Sequence, residues 1–170
     1  MMKKSYIAVA LIILIICFPV VLTVGAQSNK NPKGIKVVKE GVGFDGIVVG
    51  KSTRADVIKK YGKNYKIKDY GKYSTQIIYP GGVSFYYCQA DKRQQIFDIE
   101  LRAPFKAKTS KGIILSQSTL EDIRRIYGKS KDGLEYRGVS FFYAKVRGKN
   151  VVTVIDIVEN GGIRQCKENK

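Results

Sequence analysis

An 18-residue phrase, GIVVGKSTRADVIKKYGK at 46–63, returns as GIILSQSTLEDIRRIYGK at 112–129, at a constant offset of 66. Eight of the 18 positions are identical: Gly46/Gly112, Ile47/Ile113, Ser52/Ser118, Thr53/Thr119, Asp56/Asp122, Tyr61/Tyr127, Gly62/Gly128 and Lys63/Lys129. A second echo follows each copy, GVSFYY from Gly82 and GVSFFY from Gly138. Two matched phrases in the same order require a structural unit that is used twice, so the repeat bounds the fold before any motif does.

Within each copy, Ser-Thr precedes a run of good helix formers and an Asp follows the Thr by three residues, which is the arrangement of a capping box. Val57 and Tyr61 in the first copy, and Ile123, Ile126 and Tyr127 in the second, form the apolar side of a helix that Gly62 or Gly128 ends. A helix of about eight residues cannot stand alone and has to dock on a sheet. Tyr61 and Tyr127 therefore read as core or half-core residues. Strands follow each helix. In the first copy they are residues 75–79 and 83–88, joined by Pro80-Gly81-Gly82, and then 95–101. In the second they are residues 134–136, 139–144 and 151–158. The expected fold class is α+β, with two tandem repeats, each a short helix followed by a three-stranded antiparallel sheet. The expected organisation is a leader at 1–26, a linker and lead-in at 27–45, repeat 1 at 46–101, a linker at 102–111, repeat 2 at 112–158 and a polar tail at 159–170.

The leader is marked by Lys3 and Lys4, an uncharged apolar run over residues 7–24, and Val24-Gly25-Ala26 before Gln27. This pattern predicts a removed signal peptide and an exported chain, periplasmic or secreted, with inner-membrane anchoring by residues 7–24 as the alternative. Cys17 sits in LIIC, where bulky neighbours argue against acylation. The mature chain keeps Cys88 and Cys166, the disulfide candidate, since two thiols in an oxidising compartment more often pair than stay free.

The formal charge is +17, from 31 basic and 14 acidic residues. Loss of Lys3 and Lys4 leaves 29 basic residues and +15. That excess predicts attraction to anionic polymers or lipid surfaces, with nucleic acid placed last by export, although solubility alone accounts for it equally well. The copies differ in one useful place. Twenty residues separate Gly62 from Gly82 and ten separate Gly128 from Gly138, so the first unit carries an insertion, KNYKIKDYGKY at 63–73. Its Lys63, Tyr65, Lys66, Lys68, Tyr70, Lys72 and Tyr73 are the candidate binding residues: lysine supplies charge, and tyrosine supplies flat contact area with a hydrogen-bonding tip. The competing reading of this stretch is a longer strand pair or a solvated loop.

Catalytic chemistry finds little support. The chain contains no histidine, which removes the commonest general base, the usual triads and most zinc sites. No phosphate-binding glycine loop is present, and neither a metal nor a cofactor is implied. Asp98 and Asp156 occupy equivalent places in IFDIEL and VIDIVE, and paired carboxylates can do acid/base work. In alternating strands they are expected instead to face solvent or neutralise lysines.

The pattern of a G-I-x-x-G lead, S-T before a helix with an acid in its first turn, Y-G, and then a G-V-x-F strand resembles the repeat shared by the β-lactamase inhibitor protein and the small outer-membrane assembly lipoproteins of the SmpA/OmlA type. The resemblance covers 46–101 and 112–158 and implies a helix-plus-antiparallel-sheet protein that acts by binding proteins in or beyond the cell envelope. The lipobox of the lipoproteins is missing around Cys17, and no inhibitory contact residue can be carried over. The sequence thus reads as an exported, non-catalytic binding protein that presents a basic, Tyr-rich surface to an envelope or secreted protein or to a polyanion. The alternatives are an inhibitor of a secreted hydrolase or an envelope assembly factor and, behind these, a hydrolase using Asp98 and Asp156.

Overall fold

A computed structural model describes residues 34–71, 74–130 and 133–159. In chain order its elements are β1 (Lys36–Val38), β2 (Gly43–Phe44), β3 (Ile47–Val48), α1 (Arg54–Tyr61), β4 (Lys66–Asp69), β5 (Thr75–Tyr79), β6 (Val83–Tyr87), β7 (Ile96–Arg102), β8 (Ala107–Thr109), α2 (Leu120–Tyr127), β9 (Glu135–Tyr136), β10 (Val139–Val146) and β11 (Lys149–Val158).

The two helices are built alike. Each is capped reciprocally: the Thr53 amide donates to Asp56 at 2.8 Å while the Asp56 amide donates to the Thr53 hydroxyl at 3.3 Å, and Thr119 and Asp122 do the same at 3.0 and 3.3 Å. Four helix amides lack intrahelical partners at an N-terminus, and these side chains satisfy some of them. The preceding serine has a task the spacing did not reveal. Ser52 accepts the Val48 amide at 3.0 Å and Ser118 accepts the Ile114 amide at 2.9 Å, which closes the turn into each helix. Each turn is then tied to the last strand of its own repeat, through Ile96 N–H to Ser52 O at 2.8 Å and Val152 N–H to Ser118 O at 2.9 Å. Tyr61 and Tyr127 end the helices on acids from the lead-in: Tyr61 donates to Asp45 at 3.2 Å, and Tyr127 donates to Glu40.

The sheet departs from the expected pair of three-stranded units. Seven strands form one antiparallel sheet in the order β4-β5-β6-β7-β11-β10-β9. The final strands of the two repeats, β7 and β11, lie side by side in register from Val154↔Arg102 to Val158↔Asp98. The physical reason is that these strands are rich in buried residues, and a buried edge would leave a row of backbone groups without partners. Pairing them removes both edges at once. The insertion also adds a strand, β4, so repeat 1 contributes four strands and repeat 2 three.

Two small sheets lie outside this array. Strand β1 pairs in parallel with β8, Lys36↔Ala107 to Val38↔Thr109, and β2 pairs with β3. The stretches expected to be linkers, before and between the repeats, are thus partly structured and clasp each other. One face of the large sheet meets the core, in which Ile77, Phe85, Ile99, Leu101, Ile155 and Ile157 pack with Val57 of α1 and Ile123 of α2. Alternation along the strands sends Gln76, Tyr86, Asp98, Glu100 and Asp156 to the other face.

Neither the expected membrane anchor nor the expected disulfide pair is found among the described residues. No helix among the described residues is long and apolar enough to cross a membrane, and residues 7–24, the expected anchor, lie outside the described residues. No disulfide joins two described residues. Cys88, buried just past β6, is disulfide-bonded, but Cys166 lies outside the described residues and the expected pairing of the two is not found among them.

The second echo of the repeat is explained by Gly82, whose φ is +87° and whose missing Cβ would fall 2.1 Å from the Arg102 carbonyl oxygen. Gly82→Ala should cost about 2 kcal/mol or more in urea unfolding, because both the backbone conformation and the close approach forbid a side chain. Thr119→Ala, which removes only a cap, should cost about 1 kcal/mol in the same measurement.

Candidate functional site

The non-core face of the sheet runs from a basic edge to an acidic seam. Cross-strand register places Lys66, Ile78, Ser84, Glu100, Asp156, Ser140 and Glu135 in one row. A neighbouring row holds Lys68, Gln76, Tyr86, Asp98 and Val158. Because pleated strands send paired residues to the same side, both rows belong to one face.

At the basic edge, every residue of β4 is exposed. Ile67 is 51 % exposed, an unusual position for isoleucine in a strand. The candidate residues divide here. Lys63, Lys66 and Lys68 are exposed, and the Lys68 ammonium lies 4.7 Å from the centroid of the Tyr70 ring. Tyr65 is half-buried, its ring 5.7 Å from that of Tyr79. Lys72 and Tyr73 lie outside the described residues. A groove of about 390 Å³ opens beside the start of β4, lined by Asn64, Tyr65, Lys66, Ile78, Tyr79 and Pro80.

A chain of hydrogen bonds leads inward from this edge. Tyr70 donates to the Gln76 carbonyl at 3.1 Å, the Gln76 amide donates to the Tyr86 hydroxyl at 2.7 Å, and Tyr86 donates to Glu100 at 3.1 Å. Arg102 grips the same carboxylate with two bonds of 2.7 and 2.9 Å. Burial, with the Glu100 charge beside it, pushes the Tyr86 hydroxyl far above the usual phenol range. It is a fixed donor.

Beyond Glu100 the seam carries Asp98 and Asp156, and here the expectation of solvent-facing carboxylates fails. Asp98 and Glu100 are each 9 % exposed. One oxygen of Asp98 and one of Asp156 are fully enclosed without a hydrogen-bond partner, and no lysine among the described residues pairs with either. The cause is the β7–β11 pairing, which places Glu100 opposite Asp156 and Asp98 diagonally beside it. Burial first, and then the Glu100 charge, pushes Asp98 up to about 7. Asp156 rises to about 8 through burial, then Asp98 and Glu100, with Arg102 opposing. A carboxyl group in such a place gives up its proton only against both desolvation and like charge. This cluster, Asp98, Glu100, Arg102 and Asp156, was not legible in advance, because only the pairing of two distant strands assembles it. The equivalence of IFDIEL and VIDIVE was the available signal.

Further aromatic clusters lie toward the surface. Tyr61 packs against Tyr79 and Phe85, and Tyr127 against Tyr136 and Phe141, with centroids 5.0 to 5.4 Å apart. Phe142, Tyr143 and Val146 on β10 are about half exposed. Half-exposed tyrosines and apolar side chains on an α+β scaffold suit a protein-binding surface. No group of acidic or cysteine side chains among the described residues is arranged to hold a metal ion. No protein-family model, curated protein or solved structure matches the chain.

Tyr86 joins Gln76 to Glu100, so Tyr86→Phe leaves a buried amide and a buried carboxylate each short of a partner. It should lower stability by about 1–2 kcal/mol in denaturant unfolding. Tyr70→Phe, at an exposed position, should change it by less than about 0.5 kcal/mol.

Proposed function

We propose that this chain is a non-catalytic binding protein of the bacterial cell envelope that offers the β4 edge to a protein or polyanionic partner. The observation that carries the reading is the exposure of every residue of β4, where Lys66 and Lys68 stand on one side, Ile67 on the other, and a groove opens at its start. Charge there would draw an anionic partner in, and the Tyr70 ring, Ile67 and the groove would supply contact area. The leader pattern and the likeness of the repeat phrase to envelope-binding proteins support the setting. The enclosed oxygens of Asp98 and Asp156 speak against the hydrolase alternative, since a general acid or base has to reach its substrate.

A second reading, inhibition of a secreted hydrolase or service as an assembly factor, is favoured by Phe142, Tyr143 and Val146 on the β10–β11 hairpin. An apolar contact of that kind would hold at high salt, whereas the lysine edge would release its partner as charges are screened.

Replacing Lys63, Lys66 and Lys68 together by Ala should make the protein leave an anionic matrix at lower salt and flatten the dependence of retention on salt concentration. Elution unchanged from the parent protein would remove the β4 edge from consideration. Capture from envelope extract that survives raised salt, and is lost in Phe142→Ser, would favour the hairpin reading.

A further inference from the structure

The strands that join the two repeats meet at a seam shared by three acidic side chains. Strand β7 ends repeat 1 and β11 ends repeat 2, and their pairing spans Arg102 to Asp98 on one side and Val154 to Val158 on the other. On the same face stand Glu100 directly opposite Asp156 and Asp98 diagonal to it, a separation within reach of electrostatic coupling. Among the described residues, Arg102 is the cation at this seam, and both of its bonds go to Glu100. The remaining strand neighbours among the described residues offer no positive charge to the aspartates. Strand β6 supplies Tyr86 opposite Asp98, β10 supplies the uncharged Ser140 opposite Asp156, and Lys68 of β4 and Glu135 of β9 lie at the far ends of the two rows.

One oxygen of each aspartate has no solvent contact and no donor. No described lysine or arginine forms an ion pair with either aspartate, and the carboxylates are not grouped, among the described residues, to hold a metal ion. A proton is the cation that fits. We propose that the β7–β11 seam is a proton-binding joint: the repeats are held together with Asp98 and Asp156 in the neutral acid form, and loss of those protons to solvent loosens the joint between the two halves.

The direction follows from linkage. Unfolded aspartates ionise near 4, whereas these two hold their protons to about 7 and 8, so the folded chain binds more protons than the unfolded one between those limits. Stability is therefore highest at the acid end of that window and falls as pH rises through it. The acids whose pKa values are lowered by folding, Glu40, Asp56, Glu121 and Asp122, act in the opposite sense and only at the acid end, below about pH 4.5.

Urea unfolding of the full chain between pH 5 and pH 8.5 tests this, comparing the parent protein with Asp98→Asn, Asp156→Asn and the double variant. Asparagine keeps the shape of a neutral acid but cannot ionise. The parent's folded-to-unfolded ratio should fall at least tenfold across the range. The double variant should be flat and should overtake the parent at pH 8.5, and each single variant should lie between them. Parallel pH profiles for the parent and the double variant would overturn the proposal. Should the variants fail to fold, carbon NMR of the aspartate carboxyls in the parent protein decides the matter. Two carboxyls titrating above pH 6 would support the joint, and all titrating below pH 5 would overturn it.

Discussion

The antiparallel pairing of β7 with β11 makes one protein out of two repeats. Each repeat supplies a capped helix and a strand group whose last strand is buried, and neither could leave that strand as an edge without stranding its backbone groups. Joining the two edges gives a seven-stranded sheet whose core face is continuous, from Ile77 through Phe85, Ile99 and Ile157 to Val139. Both helices then rest on a single surface. The same pairing forces Glu100, Asp98 and Asp156 together on the opposite face, so the most unusual electrostatic feature of the molecule follows from the joint that completes it.

Local devices were largely legible because they are written in contiguous residues. Thr53 with Asp56, and Thr119 with Asp122, specify a capping box within four positions, and Gly62 and Gly128 end the helices with φ near +80°. The hairpin turn at Arg147-Gly148, with φ of +47° and +82°, is likewise set by adjacent residues. The assembly of the sheet was not legible. Nothing in FDIEL or in VIDIV states which strand each will meet, and an alternating apolar pattern is satisfied equally by a three-stranded unit and by a seven-stranded one.

The candidate site divides along the same line. Lys66 and Lys68 could be placed on the surface from composition, since lysine is seldom buried. Tyr65 could not be separated from Tyr70 by sequence, because one packs on Tyr79 while the other reaches across to Gln76. Both partners lie on β5, outside the insertion itself. Asp98 and Asp156 were read as solvated on the strength of alternation, which correctly sets them on the non-core side. That side is enclosed at the seam, and alternation alone carries no information about enclosure.

The two outer strands of the sheet have very different character. Strand β9 is only two residues long, and β4 carries lysines at alternate positions. A short margin gives a neighbouring molecule little to align with, and a charged one repels its own kind. Lateral stacking into fibrils is thus opposed at both margins, although the chain is rich in β-branched and aromatic residues and exposes backbone along one side.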